Sequence, residues 1–114
     1  MVSADPYCPE RGDFIWLDFD PQAGREQRGR RPALVLSPKA YNLRAELALM
    51  CPVTSHVKGY PFESAIPGGL PVAGVVLADQ LRSLSWRLRR ASLICAAPAA
   101  LVMDVRAKIR PLVF

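Results

Sequence analysis

The sequence predicts a mainly β protein: a compact, strongly bent β-structure with one helix at its C-terminus. Three observations predict it. Short runs rich in β-branched and aromatic residues are cut by turn residues along most of the chain. Eleven prolines, mostly between those runs, discourage long helices. A helical repeat shows at the C-terminal end. The 114 residues suit one domain over 1–114.

The first predicted strand is Phe14–Phe19, with Gly12 before it and Pro21 after it. Ala33–Ser37 is the second. Between them runs an unusually long, charged connection, since hairpin loops usually have about 2–5 residues. Leu47–Val53 reads as a buried third strand ending near Pro52. Phe62–Ile66 alternates and reads as a fourth, Gly68-Gly69 as a turn, Gly74–Ala78 as a fifth strand and Arg90–Cys95 as a sixth. Asp79–Trp86 stays unassigned. Pro98 suits a first helical turn, and Leu101, Val105 and Ile109, with Val102 beside them, form one apolar stripe. Asp104, Arg106, Lys108 and Arg110 take the other face.

Hydrophobic residues make up 51% of the chain, enough to fill a core and too many for a disordered tail. Net charge is +5, and all basic residues but Lys39, Lys58 and Lys108 are arginines, a bias toward bidentate phosphate recognition. The charge is uneven. Residues 1–20 hold Asp5, Glu10, Asp13, Asp18 and Asp20 against Arg11 alone, a balance of −4 that leaves +9 for residues 21–114. Such a body attracts a polyanion or an acidic protein. Three cysteines at irregular spacing (Cys8, Cys51, Cys95) argue for a reducing compartment rather than a disulfide framework. No stretch suits a signal peptide or a membrane span, so a cytoplasmic location is expected.

The densest functional signal is Gly24–Pro32 (GREQRGRRP), four arginines and one carboxylate set off by glycines and a proline. Guanidinium forks grip phosphate oxygens in pairs. On this segment alone a solvated basic turn reads equally well. Metal-ligand spacing, Walker and Rossmann patterns are absent, and His56, the one histidine, has no nucleophile placed beside it by the sequence. What remains is arginines, hydroxyls and a carboxylate. If the second and third strands pair antiparallel, Arg31 and Thr54 come to one end of the sheet. A guanidinium beside a hydroxyl can hold a phosphodiester and stabilise the added charge of a five-coordinate transition state. RNA cleavage by its own 2′-OH needs little more, and DNA cannot follow that route.

Five segments then carry a resemblance: Gly12–Pro21 (GDFIWLDFDP), Gly24–Pro38 (GREQRGRRPALVLSP), Cys51–Ser55 (CPVTS), Lys58–Glu63 (KGYPFE) and Ala78–Arg87 (ADQLRSLSWR). In this order and spacing the chain resembles the MazF/PemK-type endoribonuclease toxins of bacterial toxin–antitoxin pairs, from Gly12 to the C-terminal helix. The resemblance implies an SH3-like barrel of the MazF/PemK (CcdB-like) type with a C-terminal helix, assembled as a homodimer. It implies metal-independent, sequence-selective cleavage of single-stranded RNA, without a cofactor, leaving a 2′,3′-cyclic phosphate and a 5′-hydroxyl. It implies an acidic, MazE-like antitoxin as partner.

The family's essential arginine falls on Arg31, its threonine on Thr54 and its loop glutamate on Glu26. Arg31 is assigned charge stabilisation, since an arginine is a poor base. Glu26 can take the 2′-OH proton or pair with Arg25, Arg28 or Arg30, and both readings stay open. Arg25, Arg28 and Arg30 are candidates to steer RNA or to receive the antitoxin. Ser55, Lys58 and Arg87 are expected at the RNA, and Phe19, Tyr60, Phe62 and Trp86 are candidates to stack on bases or to fill the core or dimer interface. Trp16 is expected in the core and His56 at the periphery. Two rivals remain: a toxin of the same fold that acts on DNA gyrase, and a non-catalytic RNA-binding module.

Overall fold

The computed structural model of the protein describes residues 7–19 and 29–114. Seven strands form one antiparallel sheet: β1 Asp13–Asp18, β2 Arg30–Val35, β3 Ala48–Thr54, β4 Glu63–Ala65, β5 Val75–Leu77, β6 Arg82–Leu84 and β7 Ser92–Ala96. Six of them follow the spatial order β4-β5-β3-β2-β1-β7, and β6 joins off this path by pairing with β3. Strand β3 is the hub. It pairs with β2 along one edge, and on the other with β6 at Ala48–Met50 and β5 at Val53–Thr54. A single 3-10 turn, Ala78–Gln80, carries the chain from β5 to β6.

Alternation along the strands gives the sheet two buried faces. Phe14, Leu34, Cys51, Val53 and Val76 point to one, where they meet Leu101, Val102 and Val105 of the C-terminal helix. Ile15, Leu17, Ala33, Val35, Ala48 and Met50 point to the other, where they meet Cys8, Leu84 and Trp86. The predicted stripe is the one the helix buries, with Ile109 packed at its margin. The polar face of that helix also makes contacts. Ser64 donates to Asp104 Oδ2 at 2.7 Å, and Lys108 Nζ donates to the same oxygen at 2.9 Å and to the Glu63 carbonyl at 3.0 Å. These bonds hold the Asp104 carboxyl below its ordinary range, the Ser64 hydroxyl contributing most and Lys108 next.

Four expectations change. A second helix, α1 Lys39–Ala45, follows Pro38; the C-terminal helix, Ala99–Val113, is therefore α2. The buried Asn42 fixes α1 by donating to the carbonyls of Pro9 (2.8 Å) and Ser37 (3.0 Å). Strand β3 runs through Pro52 to Thr54. Pro52 falls between the segments paired with β6 and β5, so the missing N–H interrupts neither of those pairings. The unassigned Asp79–Trp86 holds β6, and Trp86, only 3% exposed, fills the core and donates from Nε1 to the Asn42 carbonyl at 2.9 Å. Trp16, expected inside, is 40% exposed. It shares a face with Phe14 but sits beyond the cluster that α2 covers, paired with Pro32 and Ser92.

Candidate functional site

The β2–β3 pairing is antiparallel, with Ala33 opposite Pro52, Leu34 opposite Cys51 and Val35 opposite Met50. Carried two residues further, this register sets Arg31 level with Thr54. Both then lie on the face that carries Ala33 and Met50, at the end of the sheet where the side chains leave the core. Arg31 is exposed, opposite Leu17 of β1, and its guanidinium has no hydrogen bond or ion pair to a described side chain. Two more groups share this face. Arg82, opposite Met50, sets its guanidinium over the Phe19 ring, 5.7 Å from the centroid.

Thr54 is held from two sides. Its Oγ1 accepts the His56 backbone N–H at 3.0 Å, which leaves the hydroxyl proton free to donate to an anion. Its backbone is crowded by Gly74, whose φ of +111° and missing side chain let β5 begin against it.

Next to Thr54 opens a pocket of about 220 Å³. The loop after β3 contributes His56, Lys58 and Tyr60, and Glu63, Asp79 and Gln80 supply other polar groups. Glu63 shapes the loop: its carboxylate accepts the backbone N–H of Lys58 at 3.1 Å and of Gly59 at 2.9 Å. Gly59 takes φ +85°, the left-handed turn that aims both N–H groups inward. Tyr60 is 58% exposed, with Lys58 Nζ 5.7 Å from its ring centroid. Glu63, Asp79, Gln80 and Arg82 received no role from the sequence, although all four lie within the quoted KGYPFE and ADQLRSLSWR segments. Roles for them need the fold, which brings residues about 20 positions apart to one cavity.

The remaining candidates fall elsewhere. Arg30 points away from Arg31, as successive strand residues must. It donates to Asp18 Oδ1 (2.9 Å), the Arg90 carbonyl (2.8 Å) and Ser92 Oγ (3.0 Å), so it clasps β1, β2 and the start of β7. Arg90 Nε grips Asp18 Oδ2 at 2.7 Å. Arg90, and then Arg30, hold the Asp18 carboxyl below the usual carboxylate range. Arg87 lies over the Trp86 ring and 3.9 Å from Glu46, at the opposite end of β3 from Thr54. Phe62 packs against the helix-side core. Ser55 is exposed beside Thr54. Glu26, Arg25 and Arg28 lie outside the described residues. Among the described residues no helix is long and apolar enough to cross a membrane.

Residues 10–113 match the model of the PemK-like, MazF-like toxin family of type II toxin–antitoxin systems. The chain is 47% identical to the endoribonuclease toxin MazF of Escherichia coli (strain K12) over 113 residues, 99% of each chain. Among solved structures it resembles MazF from Deinococcus radiodurans (TM-score 0.87, 56% identity, 95% of this chain and 98% of that one). It likewise resembles a chain of the MazE–MazF complex from the same organism (TM-score 0.86, 51% identity, 95% and 97%).

Proposed function

The chain belongs to the PemK-like, MazF-like toxin family and is an endoribonuclease toxin, and from that premise we propose how it cuts RNA. The substrate is single-stranded RNA, cut at a short specific sequence without a metal ion. The ribose 2′-oxygen attacks the adjacent phosphorus and the bond from phosphorus to the 5′-oxygen breaks. The 2′-OH proton passes to a base, a part given to Glu26, and the 5′-oxygen takes up a proton. The products are a 2′,3′-cyclic phosphate and a 5′-OH. Arg31 holds two phosphate oxygens and stabilises the charge that builds on them, and the Thr54 hydroxyl donates to a third.

The observation that carries this reading is the β2–β3 register, which, carried two residues further, sets a guanidinium that is exposed and unpaired among the described side chains level with an anchored hydroxyl. Arg30 enters as a positioning residue: by clasping Asp18 and Ser92 it anchors the start of β2, and with it Arg31. Lys58 and Ser55 meet backbone phosphates, Tyr60 and Phe19 offer faces to bases, and Arg82 adds charge beside Phe19. Arg25 and Arg28 steer the RNA or receive the acidic chain of a MazE-like antitoxin. The active form is a homodimer in the cytoplasm, where its RNA is found; the free thiols of Cys8, Cys51 and Cys95 fit that reducing compartment.

The test is direct. The purified protein cuts a long RNA in EDTA, spares DNA of the same sequence, and leaves ends that map to one short motif. RNA retarded in a gel but left intact would replace the nuclease with a binding module.

A further inference from the structure

The pocket beside Thr54 has a composition that phosphate binding does not explain. It sets two carboxylates, Glu63 and Asp79, next to a site for a polyanion. Glu63 is already committed to the N–H groups of Lys58 and Gly59. Asp79 is exposed, and among the described residues its side chain makes no hydrogen bond or ion pair. It stands with the amide of Gln80 on the 3-10 turn that leads from β5 to β6. The cavity, at about 220 Å³, is smaller than the ~300–1,000 Å³ of sites that take drug-sized ligands, a scale that suits one ring system. At its margin the exposed Tyr60 ring offers a stacking face, with the Lys58 ammonium near it to meet a phosphate.

Building on the RNA-cleaving role, we infer that this pocket receives one base flanking the scissile phosphate, and that Asp79 selects a base bearing an exocyclic amino group against uracil. An ionised carboxylate only accepts hydrogen bonds. The amino groups of adenine, cytosine and guanine donate to it. Uracil has no amino group and shows carbonyl oxygens on both sides of its N3–H, so its lone pairs would face those of Asp79. Gln80, which both donates and accepts, satisfies a neighbouring edge atom of the base. Lys58 and Tyr60 hold the nucleotide whatever its base; Asp79 decides which base is kept.

The experiment maps 5′-OH ends over a long RNA for the wild type and Asp79→Asn. The substitution keeps the shape, is exposed, and turns one acceptor into a donor. The wild-type motif is expected to contain one position next to the cut that excludes uracil. In Asp79→Asn that position alone is expected to relax, with cleavage at uracil-bearing sites rising about tenfold relative to the original motif. A motif unchanged in Asp79→Asn, or cleavage lowered equally at every site, overturns the inference. A wild-type protein that leaves RNA uncut would instead overturn the nuclease mechanism on which it builds.

Discussion

Gly74 and Thr54 meet with no room for a side chain between them. A Cβ on Gly74 would stand 2.2 Å from the Thr54 carbonyl oxygen and 3.0 Å from Ser55 Cα. Those neighbours are backbone and cannot swing aside. The φ of +111° adds strain for any L-residue. Gly74→Ala must therefore push β5 off the end of β3, and it moves the Thr54 backbone as it does so. We expect a loss of about 1–3 kcal/mol in urea unfolding, from strain and overpacking. RNA cleavage by the fraction still folded should fall as well. Wild-type activity in a destabilised Gly74→Ala would show that Thr54 need not be held in place.

Arg31 should behave in the opposite way, as a residue that matters to the reaction and little to the fold. It is exposed and unpaired among the described side chains, so Arg31→Ala should leave the thermal midpoint within a degree or two. Removing one group that stabilises transition-state charge costs roughly 10²–10³ in rate. Arg31→Lys should recover little, because an ammonium replaces the charge but not the fork that grips two oxygens. Equal cleavage by Arg31→Ala and the wild type would remove the guanidinium from the mechanism.

How far the sequence was legible follows from what each signal depends on. The meeting of Arg31 and Thr54 at one end of the sheet was readable because it follows from the antiparallel order of β2 and β3, and those strands are long enough to show. The α2 stripe at Leu101, Val105 and Ile109 was readable for the same reason. Helix α1 was not: it has seven residues after a proline, and what holds it is Asn42 reaching Pro9, a partner 33 positions away. Strand β6 has three residues, too few to show a period. Trp16 misled because aromatic residues in a strand usually face a core. Its exposure is set by where α2 stops covering the sheet, and no local pattern records that. The pocket depended on the turn at Asp79-Gln80 meeting the loop at Lys58–Tyr60, a tertiary event.

The Thr54 hydroxyl can be separated from the Thr54 backbone. Thr54→Val keeps the β-branched shape but withdraws the oxygen that accepts the His56 N–H at 3.0 Å. That donor is exposed and can turn to water, so the stability cost should stay below about 1 kcal/mol. Cleavage should fall about 10–100-fold through the lost hydrogen bond to phosphate. Thr54→Ser, which restores the hydroxyl, should recover most of the rate. If Thr54→Val cut RNA as fast as Thr54→Ser, the hydroxyl would have no part beyond its turn.

Asp18 makes a prediction about stability and pH. It accepts from Arg90 on one oxygen and Arg30 on the other, and both lower its folded pKa, Arg90 more strongly. A carboxyl depressed in the folded state binds fewer protons there than in the unfolded chain. Its contribution is therefore present above the unfolded value of about 4 and fades as pH falls through the lower folded value. Asp18→Asn should cost about 1–2 kcal/mol at pH 7, less than a fully buried pair because the Arg90 side chain is 65% exposed. The gap between wild type and variant in urea unfolding should narrow as pH drops below about 4. The same clasp sets the start of β2, so Asp18→Asn should also lower cleavage through Arg31, and adding back charge in solution should not restore it. A stability gap that stayed constant from pH 7 to pH 3 would show that Asp18 acts by shape and not by charge.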